Sequence, residues 1–172
     1  MKRLVAGLSM ICAIIGFEGC SDNNASKNAL VGEWKLTSWS ADVSMDLNND
    51  GVENVNLLKE TTCANNELLK FESNGIVASE NTFNPTVMIS ELDGEEEVSY
   101  EVEVECAEGV IGFATDYVYN TANGNVQIGE NTAATIGENT LTIVYENAIE
   151  IYNTNLSEVV ATKDLTKVYT KQ

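Results

Sequence analysis

Val98-Ser99-Tyr100-Glu101-Val102-Glu103-Val104-Glu105 alternates apolar and polar residues without a break. Val98, Tyr100, Val102 and Val104 share one face, and Ser99 and the glutamates share the other. A period of two is the signature of a half-buried β-strand with one wet face. Cys106 continues the inward face. The glutamate stripe Glu101, Glu103 and Glu105 protects the exposed face from edge pairing.

Working outward, similar short runs are bounded by turn residues. Residues 68–72 meet Ser73-Asn74-Gly75 and then 76–79, and Asn-Gly between two such runs is a strong hairpin signal. Residues 110–119 are followed by Asn123-Gly124 and then 126–129. Residues 140–146 are expected to pair with 148–152 across Asn147, and 159–162 and 165–170 finish the chain. With 31–40 and 86–92, about nine or ten short strands result, the pattern of a barrel or sandwich. Pro85 falls between segments, and only residues 52–59 suit a short helix or structured loop.

The chain has 172 residues, one domain on length alone. Its 27 acidic against 9 basic residues give a net charge of -18, which opposes binding to nucleic acid or to anionic lipid heads. It contains no histidine, which removes the commonest general base and imidazole metal ligands. No free thiol is expected in the exported chain either, so no activated nucleophile is evident and the chain is not expected to be an enzyme. A carboxylate pair for glycoside hydrolysis is the one arrangement that spacing alone does not exclude.

The N-terminus reads as an address. Met1-Lys2-Arg3 is basic, and the run Leu4 to Phe17 carries no charge. It is shorter than the about 20 residues of a spanning helix, and before Gly19 and Cys20 it reads as a secretory signal. Phe17-Glu18-Gly19-Cys20 resembles the lipobox of bacterial lipoproteins, as met in the Bacteroidota. That resemblance implies signal cleavage after residue 19 and lipid, palmitate included, on Cys20. Ser21 follows, in place of the aspartate that retains such proteins at the inner membrane. The resemblance therefore implies an outer-membrane anchor facing the periplasm or the cell exterior. Residues 20–30 would be a polar tether and 31–172 the folded domain.

Of four cysteines, Cys12 leaves with the signal and Cys20 takes the lipid. Cys63 and Cys106 remain in an oxidising compartment and most simply form one disulfide. A CxxC redox motif is absent.

Gly32-Glu33-Trp34 opens the first strand, and a Gly-x-Trp there resembles the lipocalins. The ordered set resembles lipocalin-like domains of Bacteroidota lipoproteins more closely: Gly32 and Trp34, the Asp46 to Gly51 loop, Leu57-Leu58-Lys59-Glu60-Thr61-Thr62-Cys63, the Phe71-Glu72-Ser73-Asn74-Gly75 hairpin, and the closing Leu165-Thr166-Lys167-Val168-Tyr169 strand. The likeness covers residues 30–172. It implies an all-β, antiparallel up-and-down barrel of about 8–10 strands. It also implies that Trp34 plugs one end beneath a basic side chain of the last strand, Lys167 first and Lys171 second, in a cation–π contact. Trp39 is expected in the core.

Asp46-Leu47-Asn48-Asn49-Asp50-Gly51-Val52 presents oxygens at alternate positions with a glycine at the turn, as calcium requires. Asp46, Asn48 and Asp50 are the candidate side-chain ligands, Val52 offers its carbonyl, and Asn54 a further oxygen. Leu57 stands where an EF-hand needs glutamate, so only a looser site remains, completed by Glu53, Asn56 or Glu60. The other reading is a solvated Asx-rich turn. Asp93-Gly94-Glu95-Glu96-Glu97 reads as a solvated hairpin tip.

Two functional readings stand. One is a binding barrel for a small apolar or amphipathic molecule, lined by Val98, Val102, Val104, Ile143 and Ile151 beside Tyr100 and Phe113, with no basic residue inside. The other is a structural or interaction barrel filled by its own side chains. Membrane contact is through the lipid alone, and no nucleic acid is expected.

Overall fold

The computed structural model describes residues 29–41, 43–92 and 99–172. The signal segment, Cys20, Val98 and the acidic turn at 93–97 lie outside the described residues.

The chain is nearly all β. Its strands are β1 (Gly32–Ser40), β2 (Leu68–Phe71), β3 (Ile76–Ser79), β4 (Thr86–Glu91), β5 (Tyr100–Glu105), β6 (Phe113–Asn120), β7 (Asn125–Ile128), β8 (Thr132–Ile136), β9 (Thr140–Tyr152) and β10 (Val159–Lys171). A 3-10 turn covers Leu57–Lys59, inside the segment expected to be a short helix or loop.

Eight strands, β1, β2, β3, β6, β7, β8, β9 and β10, follow one another around an antiparallel barrel, and β10 closes on β1. The expected up-and-down barrel is therefore present. Closure removes the edges of these eight strands, which would otherwise invite pairing with other chains.

The alternating run that announces the fold lies outside this barrel. β5 pairs only with β4, and β4 joins the extended part of β9 through two parallel pairs, Ile89 with Ile151 and Ser90 with Tyr152. The alternation itself holds, because Glu101, Glu103 and Glu105 are exposed while Tyr100, Val102 and Val104 are half-buried. Cys106 is exposed just past the end of this strand, off the inward face that alternation gave it.

Two further expectations are corrected. Asn147 is not a hairpin turn. β9 runs unbroken through it, with Asn147 at φ 53 and its N–H held by Asp164 Oδ1 at 2.8 Å. The β9–β10 register shifts there, so the positive-φ residue marks a bulge between two long strands. For the same reason residues 159–162 and 165–170 belong to one strand.

A second bulge sits in β1. Leu36 pairs with Tyr169, yet Ser38 pairs with Val168 and Trp39 with Lys167, leaving Thr37 as the extra residue. Directly paired residues share a face. The slip turns Trp39 inward, where strict alternation from Trp34 and Leu36 would place Ser38. Trp39 is buried and meets Phe83 edge-on at 5.6 Å, the core role expected for it.

Trp34, at the start of β1, is fully buried, and its indole N–H donates to the Leu30 carbonyl at 2.8 Å. Lys171, not Lys167, covers the indole, with Nζ 5.3 Å from the ring centroid. Lys171 lies opposite Trp34 in the β1–β10 register. Lys167 stands four residues earlier and reaches a different part of the barrel. Gly32 has φ 130, a conformation side chains resist, and a Cβ there would approach Lys171 Cε to 3.5 Å.

Candidate functional site

Trp34, Leu36, Phe71, Val77, Val126 and Leu141 fill the barrel toward the end capped by Trp34. The opposite end is not filled. A cavity of about 300 Å³ lies there, lined by Glu67, Leu69, Ile128, Ile143, Tyr145 and Lys167 among others. Strand direction explains why these residues meet. Glu67 precedes β2, Phe113 opens β6, Ile128 ends β7 and Thr132 opens β8, so all lie at the end away from Trp34.

Of the residues expected to line the barrel, Ile143 and Phe113 border this cavity. Tyr100, Val102, Val104 and Ile151 do not, because their segments belong to the β4–β5 hairpin and the extension of β9 that carries it.

The expectation of no basic residue inside is also overturned. Lys167 is buried, and its Nζ stands 3.0 Å from Glu67 Oε2. The pair is extensively hydrogen-bonded. Lys167 also donates to the Phe83 carbonyl at 3.0 Å, and the Phe83 N–H donates to Glu67 Oε2 at 2.9 Å. Tyr169 donates its hydroxyl to Glu67 Oε1 at 2.7 Å. Burying two charges is costly unless each finds partners, and here both do. Burial first, then the Glu67 charge and hydrogen bond, pushes the Tyr169 phenol far above its ordinary range. Burial, followed by the Glu67 charge, raises Tyr145 as well.

The cavity thus has an apolar wall and a neutralised ionic floor. Thr82 borders it, and the Thr82 Oγ1 is buried without a hydrogen-bond partner. Sequence reading missed Glu67 because no local pattern joins it to Lys167. Glu67 follows Asn65-Asn66, whose composition signals only a turn.

A second recess of about 390 Å³ lies beside Cys63 and Cys106, and Thr82 borders it too. These cysteines form a disulfide with S–S 2.11 Å and Cα–Cα 5.3 Å, as the count of cysteines suggested. The bond ties the segment before β2 to the end of β5.

The Asp46 loop sits between β1 and the 3-10 turn. Its ends are joined by Met45 and Asn54, which exchange N–H to carbonyl bonds of 3.2 and 3.1 Å. Asp46 accepts from the N–H groups of Asp50 and Gly51, Asn48 Oδ1 from Asp50, and Asp50 Oδ1 from Val52. Asn48 Nδ2 also donates to Asp50 Oδ2 at 3.1 Å. Val52 is exposed, and Asn54 Nδ2 donates to Glu60 Oε1. Of the expected ligands the structure gathers two carboxylates, Asp46 and Asp50. Of the three residues expected to complete the site it brings in Glu60, with all three ligand oxygens within 4.8 Å of one another. Such a triad is able to hold a metal ion.

No family model, curated protein or solved structure matches the chain. Its function is therefore read from the chemistry of these sites.

Proposed function

We propose that this chain is a lipocalin-like lipoprotein of the outer membrane, anchored by lipid on Cys20, whose barrel takes up one small, mainly apolar molecule. The cavity at the barrel's open end carries this reading. Its volume lies at the lower end of the range for small-molecule pockets, about 300–1,000 Å³. Leu69, Phe113, Ile128 and Ile143 offer an apolar wall for the body of the ligand. The Glu67–Lys167 pair, Tyr145 and Thr82 offer hydrogen bonds for one polar group. Lys167 is already neutralised by Glu67, so an uncharged polar group suits this floor better than a carboxylate. The signal-like N-terminus and Cys20 support the anchor, and the absence of histidine supports binding over catalysis.

The test is uptake of a fluorescent long-chain alcohol by the purified full-length protein, with native mass spectrometry of material from its own host. Thr132→Trp, which places an indole against the cavity, should abolish uptake while leaving the melting temperature nearly unchanged. No uptake and a clean apo mass would leave the filled structural barrel as the account. Cys20→Ala should move the protein from the membrane to the soluble fraction.

A second reading is favoured by the convergence of Asp46 and Asp50 with Glu60. The loop binds calcium, with Asn48, the Val52 carbonyl and Asn54 as further oxygen donors of the kind calcium uses.

A further inference from the structure

The Glu60 carboxylate is 2% exposed, and its Oε2 has no hydrogen-bond partner. A buried carboxylate normally sits against a cation or a set of donors. Glu60 faces two more carboxylates, Asp46 and Asp50, within 4.8 Å. Among the described residues the side-chain ion pairs are Lys70–Glu72 and Lys167–Glu67, and neither reaches this cluster. Among the described residues, three negative groups, one almost fully desolvated, are thus gathered with no cation paired to them. Asn54 Nδ2 answers Glu60 Oε1 alone.

We propose that Glu60 is the closing ligand of a calcium site formed with Asp46 and Asp50, with Oε2 bound to the ion. The inference rests on the calcium reading of the loop and names the residue that completes it. It also explains how the loop manages without a glutamate at Leu57. Leu57 is buried in the core and opens the 3-10 turn, and Glu60 is the residue that caps that turn. The turn therefore delivers a carboxylate to the loop from three places further along the chain, while Leu57 anchors it in the barrel. An ion held in this way would pin an exposed loop to a buried residue.

The donor set identifies the class of ion. All candidate ligands are oxygens, which suit hard cations, and no sulfur or imidazole stands among them. Two oxygens bound to one calcium lie at most about twice 2.3–2.6 Å apart, so oxygens within 4.8 Å of one another are close enough to share one ion. Magnesium binds at about 2.0–2.1 Å in near-ideal octahedra and keeps much of its water, a poorer match to an irregular loop and one buried carboxylate.

The experiment is calorimetric titration of the full-length protein with calcium chloride, run in parallel on Glu60→Gln and on Glu138→Gln, a change at an exposed residue outside the loop. Glu60→Gln keeps the side-chain shape and removes the charge. We expect one calcium per chain for the wild type and for Glu138→Gln. Affinity should fall at least about tenfold in Glu60→Gln. Without calcium, Glu60→Gln should melt cooperatively at or above the wild-type temperature, because it relieves the repulsion; this also shows that it folds. Wild-type affinity retained in Glu60→Gln would overturn the role of Glu60 and leave the loop reading standing. No calcium binding by the wild type would overturn both. An equal response to magnesium would overturn the assignment to calcium.

Discussion

Lys167 and Glu67 are a hundred residues apart in the chain and 3.0 Å apart in the barrel, both almost fully buried. This pair sets the chemistry of the open end. It also fixes the segment after β3, because the N–H of Phe83 donates to the carboxylate and the carbonyl of Phe83 accepts from the ammonium. Removing either charge leaves the other desolvated and unmatched.

Glu67→Leu should therefore cost about 3–5 kcal/mol in urea unfolding. Adding Lys167→Met to the same chain should recover most of that loss, since an apolar pair of similar volume avoids the desolvation altogether. A double variant as unstable as the single one would show that the hydrogen bonds to Phe83, and not the unpaired charge, dominate.

Tyr169 predicts a loss of stability in alkali. Its phenol is raised above the ordinary value of 10.0 by burial and by Glu67. Above about pH 10 the unfolded chain releases this proton while the folded chain keeps it, so the unfolded state binds fewer protons and stability falls as pH rises. Below that pH the contribution is complete. Each such tyrosine adds about 1.4 kcal/mol per pH unit to the slope. Tyr169→Phe should be less stable at neutral pH by about 1 kcal/mol, through loss of the bond to Glu67, yet show a shallower decline above pH 10. Parallel declines measured by denaturant titration from pH 8 to 11 would contradict the account.

The Cys63–Cys106 bond closes a loop of sequence separation 43. Constraint of the unfolded chain gives an upper estimate of about 4 kcal/mol for a loop of that length. Non-reducing mass analysis should find no alkylatable thiol at either position. The paired Cys63→Ser and Cys106→Ser change should lower the urea midpoint with the denaturant slope moving upward, because the unfolded state expands.

Two lysines of the last strand should behave differently. Lys171→Met loses a partly exposed cation–π contact with Trp34, worth about 0.5–1 kcal/mol, and an exposed hydrogen bond from Nζ to the Ala29 carbonyl. Lys167→Met strands the Glu67 carboxylate and should cost several times more. Thermal melts of the two single variants decide between them, and the reverse order would place the stabilising cation at the wrong end of the barrel.

The loop at Asp46 was legible from its own residues, since aspartate, asparagine and glycine at alternate positions carry both turn chemistry and oxygen ligands. Its closing residue was one of several acids and amides that spacing allowed. What singles out Glu60 is burial, a consequence of Leu57 entering the core and of the 3-10 turn that follows.

The sequence by itself determined the local conformations. The period of two at 98–105, the Asn-Gly turn before β3 and the scarcity of proline fix extended strands and tight turns, because those preferences act between neighbours in the chain. The disulfide also followed from arithmetic, as two cysteines are left once Cys12 is read as part of a signal and Cys20 as a lipid site. Only the tertiary structure decided which strands close the barrel and which hairpin stays outside it. The clearest strand pattern, in β5, carries no information about its partner, since alternation states that one face is buried and not against what. The bulges at Thr37 and Asn147 lie beyond local reading for a related reason. Each is set by register against β10, a strand far along the chain, and a slip of one residue exchanges the inward and outward faces. That is how Trp39 comes to face inward, and it is why Lys167, paired with Trp39, could meet Glu67 only once the barrel had closed.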